Sequence, residues 1–253
     1  MAGAPGRAHA AAEVTMQREQ LLVAQGAEPG AAGRVVGLAG VVLCGGQSRR
    51  MGRPKAWLPF GGEALLQRVV RRLGEAAWPI AVVAAPGQAL PPLPDGVLLV
   101  RDPVEGRGPM QGIAAGLDAV APLAARAVVT STDAPFLHPA FVRRLAELQA
   151  GGHAIAMPQA DGRHHPLAAV YACAVRAEAA ALLAEGQLRL TSLLARARTL
   201  VAGPALLLED PALRAADPEL RSLRNVNTPE EYAAALRELS GVAEAAGQGA
   251  GRP

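Results

Sequence analysis

Short aliphatic runs that alternate with stretches of helical period limit what this chain can fold into more than any other feature. Leu38 to Cys44 is an unbroken apolar run that ends in Gly45-Gly46, and Ala64 to Ala77 then sets Leu65, Leu66, Val69, Val70 and Leu73 on one helical face. Ile80 to Ala85 and Val97 to Arg101 predict the next strands, Met110 to Val120 a helix, and Ala127 to Ser131 a strand that runs into Thr132-Asp133. Phe141 to Leu148 predicts a helix with Pro139 in its first turn. Ala154 to Met157 and Leu167 to Tyr171 predict strands on either side of the turn-like Asp161-Gly162, with helices over Arg176 to Glu185 and Thr191 to Arg198. Thr228-Pro229-Glu230-Glu231 has the pattern of a capping box with proline at the first helical position, and it opens a last helix to about Leu239. Strands joined by helical crossovers lie parallel. The predicted fold class is therefore α/β, a doubly wound, mainly parallel sheet with helices on both faces in three layers, α/β/α.

At 253 residues the chain suits one such domain and is short for two. Residues 1–36 are rich in Ala and Gly, contain Pro5 and Pro29, and show only a weak apolar patch near Leu21 to Val23, so they are expected to be a disordered extension. The domain is expected over 37–240, and 241–253 are expected to be a disordered tail. The formal net charge is only +3 and basic residues occur singly or in pairs, so a phosphorylated small molecule is a sufficient partner and nucleic acid is not required. Cys44 and Cys173 are the only cysteines and form no C-x-x-C pair, so neither a disulfide framework nor a zinc site is expected. No stretch of about 18 uncharged apolar residues occurs, and the N-terminus lacks the pattern of a signal peptide. The expectation is a cytoplasmic protein with no membrane partner.

Lys55 is the only lysine among 25 basic residues, all the others being arginine, and Asn225 and Asn227 are the only asparagines. A chain that avoids both residue types elsewhere is expected to keep them where their geometry has no substitute. Lys55 closes the loop Leu43-Cys44-Gly45-Gly46-Gln47-Ser48-Arg49-Arg50-Met51-Gly52-Arg53-Pro54-Lys55. Glycines bring backbone N–H groups against phosphate oxygens, and Arg50 and Lys55 supply the charge a triphosphate demands. The loop has neither G-x-x-x-x-G-K-[ST] nor G-x-G-x-x-G, so it reads as an anion cradle that is neither a P-loop nor a dinucleotide-binding turn. Two carboxylates also follow strand ends, Asp102 and Asp133. Either could hold Mg²⁺ with phosphate oxygens, or Asp133 could instead cap a helix, since Pro135 and Pro139 follow. In doubly wound sheets ligands bind at the carboxyl ends of strands, which gathers the loops after Leu43, Arg101 and Ser131 on one edge.

The opening loop resembles the L-x-G-G-x-S-x-R-M-G-x-x-K signature of the molybdenum cofactor guanylyltransferases, which have a Rossmann-like nucleotidyltransferase fold. Asp102, Gly108-Pro109-Met110-Gln111-Gly112, Thr132-Asp133-Ala134-Pro135, His165-Pro166 and Asn225-Val226-Asn227-Thr228-Pro229 are similar, in the same order, to the other family motifs. The resemblance implies transfer of GMP from GTP to the phosphate of molybdopterin, or Mo-molybdopterin, with Mg²⁺ as cofactor and molybdoenzymes or their chaperones as receivers of the product. It implies Lys55, Arg50 and Asp133 as catalytic residues, with Asp133 the metal ligand. It implies nucleotide contacts from Leu43, Cys44, Gly45, Gly46, Ser48, Gly52, Lys55, Asp102, Gly108, Pro109 and Gly112. His165, Asn225 and Asn227 are implied on the acceptor side.

Relatives that use CTP tend to have alanine at the first glycine of the opening pair, so Gly45-Gly46 favours GTP. Cys44 departs from the usual alanine at a position where the backbone N–H does the binding. Ala84 stands where relatives can place a nucleotide-contacting asparagine. Rival readings are a cytidylyltransferase for the same pterin, a sugar-1-phosphate nucleotidyltransferase, or a non-catalytic cofactor carrier, for which loss of Lys55 or Asp133 would be the mark.

Overall fold

The structure, a computed structural model, describes residues 33–45, 51–102 and 107–249. Its elements are β1 (Leu38–Leu43), β2 (Pro59–Phe60), β3 (Glu63–Ala64), α1 (Leu65–Gly74), β4 (Ile80–Ala84), β5 (Leu98–Arg101), α2 (Pro109–Val120), β6 (Arg126–Ser131), α3 (Pro139–Ala150), β7 (Ile155–Ala160), β8 (Arg163–His164), β9 (Ala169–Ala172), α4 (Val175–Ala184), α5 (Leu190–Arg196), β10 (Thr199–Ala202), α6 (Pro204–Leu207), α7 (Pro211–Ala216) and α8 (Pro229–Gly249). The main sheet runs β10-β7-β9-β6-β1-β4-β5, with β8 pairing β7. Of the seven strands in that path, β9 alone runs antiparallel to its neighbours β6 and β7. This is the expected mainly parallel, three-layer α/β/α sheet.

Alternation along β1 divides the core. Leu38 and Val42 pack with Leu66, Val69 and Leu73 of α1 and Phe141 and Leu145 of α3 on one face. Ala39 and Val41 pack with Met110, Ile113 and Leu117 of α2 and Leu182 of α4 on the other. A third, smaller cluster lies beyond the sheet, where Met51, Leu58, Phe60 and Leu65 bury against Val226 and Ala235, with Phe136, Tyr232, Leu236 and Leu239 around them. Tyr232 also donates its hydroxyl to the Pro59 carbonyl. The β2–β3 hairpin that follows Lys55 is thereby fastened to α8.

Several elements differ from the sequence reading. Leu167 lies in a 3₁₀ turn over Pro166–Ala168, and strand β9 begins only at Ala169. Strand β10 was not foreseen: it has four residues, Val201 is exposed, and it pairs only β7 at the sheet edge, so its apolar pattern is brief. The last helix continues past Leu239 to Gly249, because Ala, Glu and Gln are good helix formers even in a stretch of low complexity. The predicted capping box is present, with Thr228 Oγ1 accepting from the Glu231 N–H at 3.2 Å and the Glu231 carboxylate accepting from the Thr228 N–H at 3.2 Å.

Helix α2 approaches β1 closely because Gly116 has no side chain. A Cβ there would lie 2.4 Å from Val41 Cγ1 and 3.1 Å from Val83 Cγ2, both on buried residues of central strands. Alanine in a helix gains about 1 kcal/mol over glycine, whereas overpacking a filled core costs about 1–3 kcal/mol. Gly116→Ala is expected to lower stability by up to about 2 kcal/mol net, read from the urea unfolding midpoint. An unchanged or raised midpoint would show that the helix can retreat without penalty.

Candidate active site

The strand order reverses at β1: β4 and β5 follow it on one side, and β6 lies on the other. Crossovers therefore leave in opposite directions from the carboxyl ends of β1 and β6, and a crevice opens between them. Hydrogen bonds at that edge keep the strand ends level. Cys44 donates its N–H to the Val83 carbonyl at 2.7 Å, Thr132 to Leu43 at 3.1 Å and Asp102 to Ala84 at 2.8 Å. Three loops are in this way delivered to one cleft of about 1080 Å³.

Leu43, Cys44, Gly45, Gly52 and Lys55 line the cleft from the opening loop, Asp102 from the end of β5, and Gly108, Pro109 and Gly112 from the start of α2. Asp133 lines it from beyond β6 and Asn225 from the segment before α8. Gly108 adopts φ 74°, which favours glycine, and this turns the chain so that α2 opens into the cleft with its first N–H groups unused by the helix. Gly46, Ser48 and Arg50 lie outside the described residues. Among the residues implied on the acceptor side, Asn225 lines the cleft, whereas Asn227 stands behind Lys55 and His165 is also off the wall, which the chain reaches two residues later at Leu167. Burial lowers the His165 pKa, opposed in part by a hydrogen bond with the Ala160 backbone, so the neutral imidazole is favoured.

Lys55 is the centre of the polar arrangement. Its Nζ donates to Asp133 Oδ2 at 2.8 Å and to Asn227 Oδ1 at 2.9 Å. Ser131 donates its hydroxyl to the other carboxylate oxygen of Asp133. The Asp133 carbonyl in turn accepts the Val226 N–H at 2.8 Å, so the segment carrying both asparagines is tied to the residue after β6. Asp217 fastens the start of the same segment, accepting from the Arg221 N–H and from the N–H and hydroxyl of Ser222. Helix α3 takes its N-cap from the His138 side chain, which accepts the Ala140 N–H at 3.2 Å. Asp133 is thus not the cap, and its carboxylate belongs to the cleft.

The donor set suits a hard divalent cation that also binds phosphate. Asp133 and Asp102 present carboxylates to one cleft, and each Asp133 oxygen that accepts a hydrogen bond keeps a second lone pair. Among the described residues no group of three or more His, Cys, Asp or Glu gathers, so a metal here depends on ligand oxygens to complete its shell. Burial raises the pKa of the Cys44 thiol, which remains protonated and serves as cleft lining.

Sequence reasoning missed Gln88, Arg53 and Leu167, all on the cleft wall. Gln88 follows the turn Pro86-Gly87 after β4, and a polar residue just past a strand's carboxyl end was the available signal. Ala84 ends β4 fully buried.

A Rossmann-like sheet with a lysine and a carboxylate at its switch point defines a nucleotidyltransferase. Residues 40–201 match the family model described as MobA-like NTP transferase domain, and the chain belongs to this family. A probable molybdenum cofactor guanylyltransferase from Mycobacterium tuberculosis is 41% identical over 162 residues, covering 63% of this chain and 80% of that protein. Its counterpart from Mycobacterium avium is 40% identical over 160 residues, with 62% and 80% covered. The crystal structure of molybdopterin-guanine dinucleotide biosynthesis protein A from Archaeoglobus fulgidus superposes with a TM-score of 0.63 at 25% identity, over 80% of this chain and 99% of that one. A 2-C-methyl-D-erythritol 4-phosphate cytidylyltransferase from Thermus thermophilus, at 19% identity and a TM-score of 0.55 over 79% and 97% of the two chains, shares the fold.

The lone lysine can be tested against the residue this chain prefers everywhere else. An ammonium fits as a point donor between the Asp133 and Asn227 oxygens, whereas a planar guanidinium is wider and favours two-pronged contacts. Lys55→Arg is expected to fold normally and to lower turnover by about tenfold to a thousandfold, or roughly 1.4 to 4 kcal/mol. Turnover equal to the parent in steady-state assays would remove Lys55 from the chemistry.

Proposed function

We propose that this enzyme transfers GMP from GTP to the phosphate of molybdopterin, or its molybdenum-loaded form, and releases pyrophosphate. The observation that carries the reading is the Lys55 ammonium bonded to both Asp133 and Asn227, which joins the nucleotide half of the cleft to the half expected to face the acceptor. The names of the mycobacterial relatives and of the archaeal structure support the substrate pair. A carrier would have no use for the lysine–carboxylate pair, which is intact.

An acceptor phosphate oxygen attacks the α-phosphorus of GTP in line, the bond from that phosphorus to the α,β-bridging oxygen breaks, and pyrophosphate departs with the electron pair. The acceptor is already an anion near neutral pH, so no covalent enzyme nucleophile is required. Lys55 and the N–H groups of the opening loop neutralise and orient the triphosphate, and Arg50 is assigned to the same task. Asp133 would hold Mg²⁺, which when bound supplies positive charge against the phosphate oxygens, and Asp102, three strands away across the cleft, is assigned to the nucleotide. Asn225 and Asn227 offer carboxamides to the acceptor, and His165 is assigned to the same side.

Gly45 bears on the choice of base. Among the described residues a Cβ on Gly45 would meet only the Ala85 nitrogen, at 3.8 Å, so packing against them does not require glycine there. A base lying over that position does. The reducing cytoplasm is the proposed compartment: both cysteines are buried and free, and among the described residues no helix is long and apolar enough to cross a membrane. Molybdoenzymes or their chaperones would receive the product.

GTP is expected to be the preferred donor in a panel of nucleoside triphosphates assayed by pyrophosphate release with and without the pterin. Equal or better turnover with CTP would transfer the assignment to a cytidylyltransferase. Asp133→Asn keeps the side chain's shape and removes its charge, so transfer should fall by about a hundredfold or more with the fold retained. Near-normal turnover at limiting Mg²⁺ would mean that the cation is held elsewhere.

A further inference from the structure

The ladder between β1 and β4 stops one rung short of where its register carries it. Gly40 to Leu43 pair in parallel with Ile80 to Val83, and the Gly40 and Cys44 N–H groups donate to Pro79 at 2.8 Å and Val83 at 2.7 Å. In a parallel ladder a residue that donates in this way accepts, through its own carbonyl, from the N–H two residues beyond its acceptor. For Cys44 that donor would be Ala85. Instead the Ala85 N–H donates to Gln88 Oε1 at 3.0 Å, and Gln88 Nε2 donates to the Cys44 carbonyl at 3.1 Å. The Gln88 carboxamide stands between the strands as an inserted rung, accepting from one and donating to the other as a peptide group would. Arg101, at the end of β5, holds the turn behind it by donating to the Ala85 and Gln88 carbonyls at 3.1 and 2.9 Å.

This insertion occurs where the strands reach the cleft, and Gln88 itself lines the cleft wall. The Cys44 carbonyl and the Gly45 N–H belong to one planar peptide, so aiming the first at Gln88 sets the direction of the second at the head of the anion-binding loop. We propose that Gln88 is a positioning residue for the nucleotide, spreading β1 from β4 at the cleft and orienting the Cys44–Gly45 peptide toward the bound triphosphate. The inference rests on the nucleotide-transfer reading of the cleft and is independent of which base is preferred. A residue that merely finished two strand ends would stabilise the fold and leave no mark on one substrate over the other.

Gln88→Met retains length and volume and removes the carboxamide's hydrogen bonds to the Ala85 N–H, the Cys44 carbonyl and the Cys44 sulfur. Gln88→Glu retains the acceptor for Ala85 and sets a carboxylate oxygen against the Cys44 carbonyl. Calorimetric titration with the triphosphate that the parent binds most tightly, steady-state KM for donor and acceptor, and the thermal midpoint are measured for both variants. Donor affinity should weaken about tenfold in Gln88→Met and at least as much in Gln88→Glu, with acceptor KM changed less than about twofold and the thermal midpoint within a few degrees. Donor affinity within about twofold of the parent in both variants overturns the proposal, as does a parallel loss for both substrates with a lowered midpoint in both. A parent that prefers CTP overturns the guanine assignment alone, and one that binds no triphosphate overturns both readings together.

Discussion

An ammonium group shared between a carboxylate and a carboxamide joins three stretches of chain that lie far apart in sequence. Lys55 lies 78 residues from Asp133 and 172 from Asn227. The lysine and carboxylate side chains are 18% and 17% exposed, so the pair is neither a screened surface contact nor a dry buried one. Its value is geometric: it sets the height of the cation above the strand ends, and the loop before it has to follow. The Met51–Phe60 cluster takes up that demand on the apolar side by burying the flanks of the loop against α8.

The crevice itself comes from the order of strands, and its shape from where side chains are missing or misplaced. Gly116 lets α2 settle onto β1, bringing the helix start and the Gly108 turn against the end of the central strand. At the end of the β1–β4 seam that this helix covers, the carboxamide of Gln88 stands between the two strands.

The sheet was legible from sequence because its strands are buried on both faces and read as continuous apolar runs of Val, Leu and Ala, as in Leu38 to Leu43 and Ile80 to Ala84. Edge elements were harder. Strand β10 has one half-exposed valine and one neighbour, and the β2–β3 hairpin has two residues in each strand, too few for any period to show. The scarcity of Lys and Asn in the chain pointed to Lys55 and Asn227, which the fold brings within 2.9 Å of one another. Asp133 was ambiguous between cap and cleft, and only three-dimensional packing decides it, since the cap falls to His138. Gln88 carried only the faint signal of a polar residue past a strand end, because its closest partners are backbone atoms of Cys44 and Ala85, and backbone atoms carry no letter in a sequence.

The distance along the chain between Lys55 and Asn227 has a bearing on how the protein comes into being. A ribosome adds roughly 5–20 residues per second, so the 172 residues between them take roughly 10 to 35 seconds to appear. In the course of that interval the lysine and the first strands emerge, while the strap that carries both asparagines and the helix that buries Phe60 do not yet exist. A nascent chain can assemble its lysine-bearing half early, yet it completes the opposite wall only when residues 225 to 239 arrive.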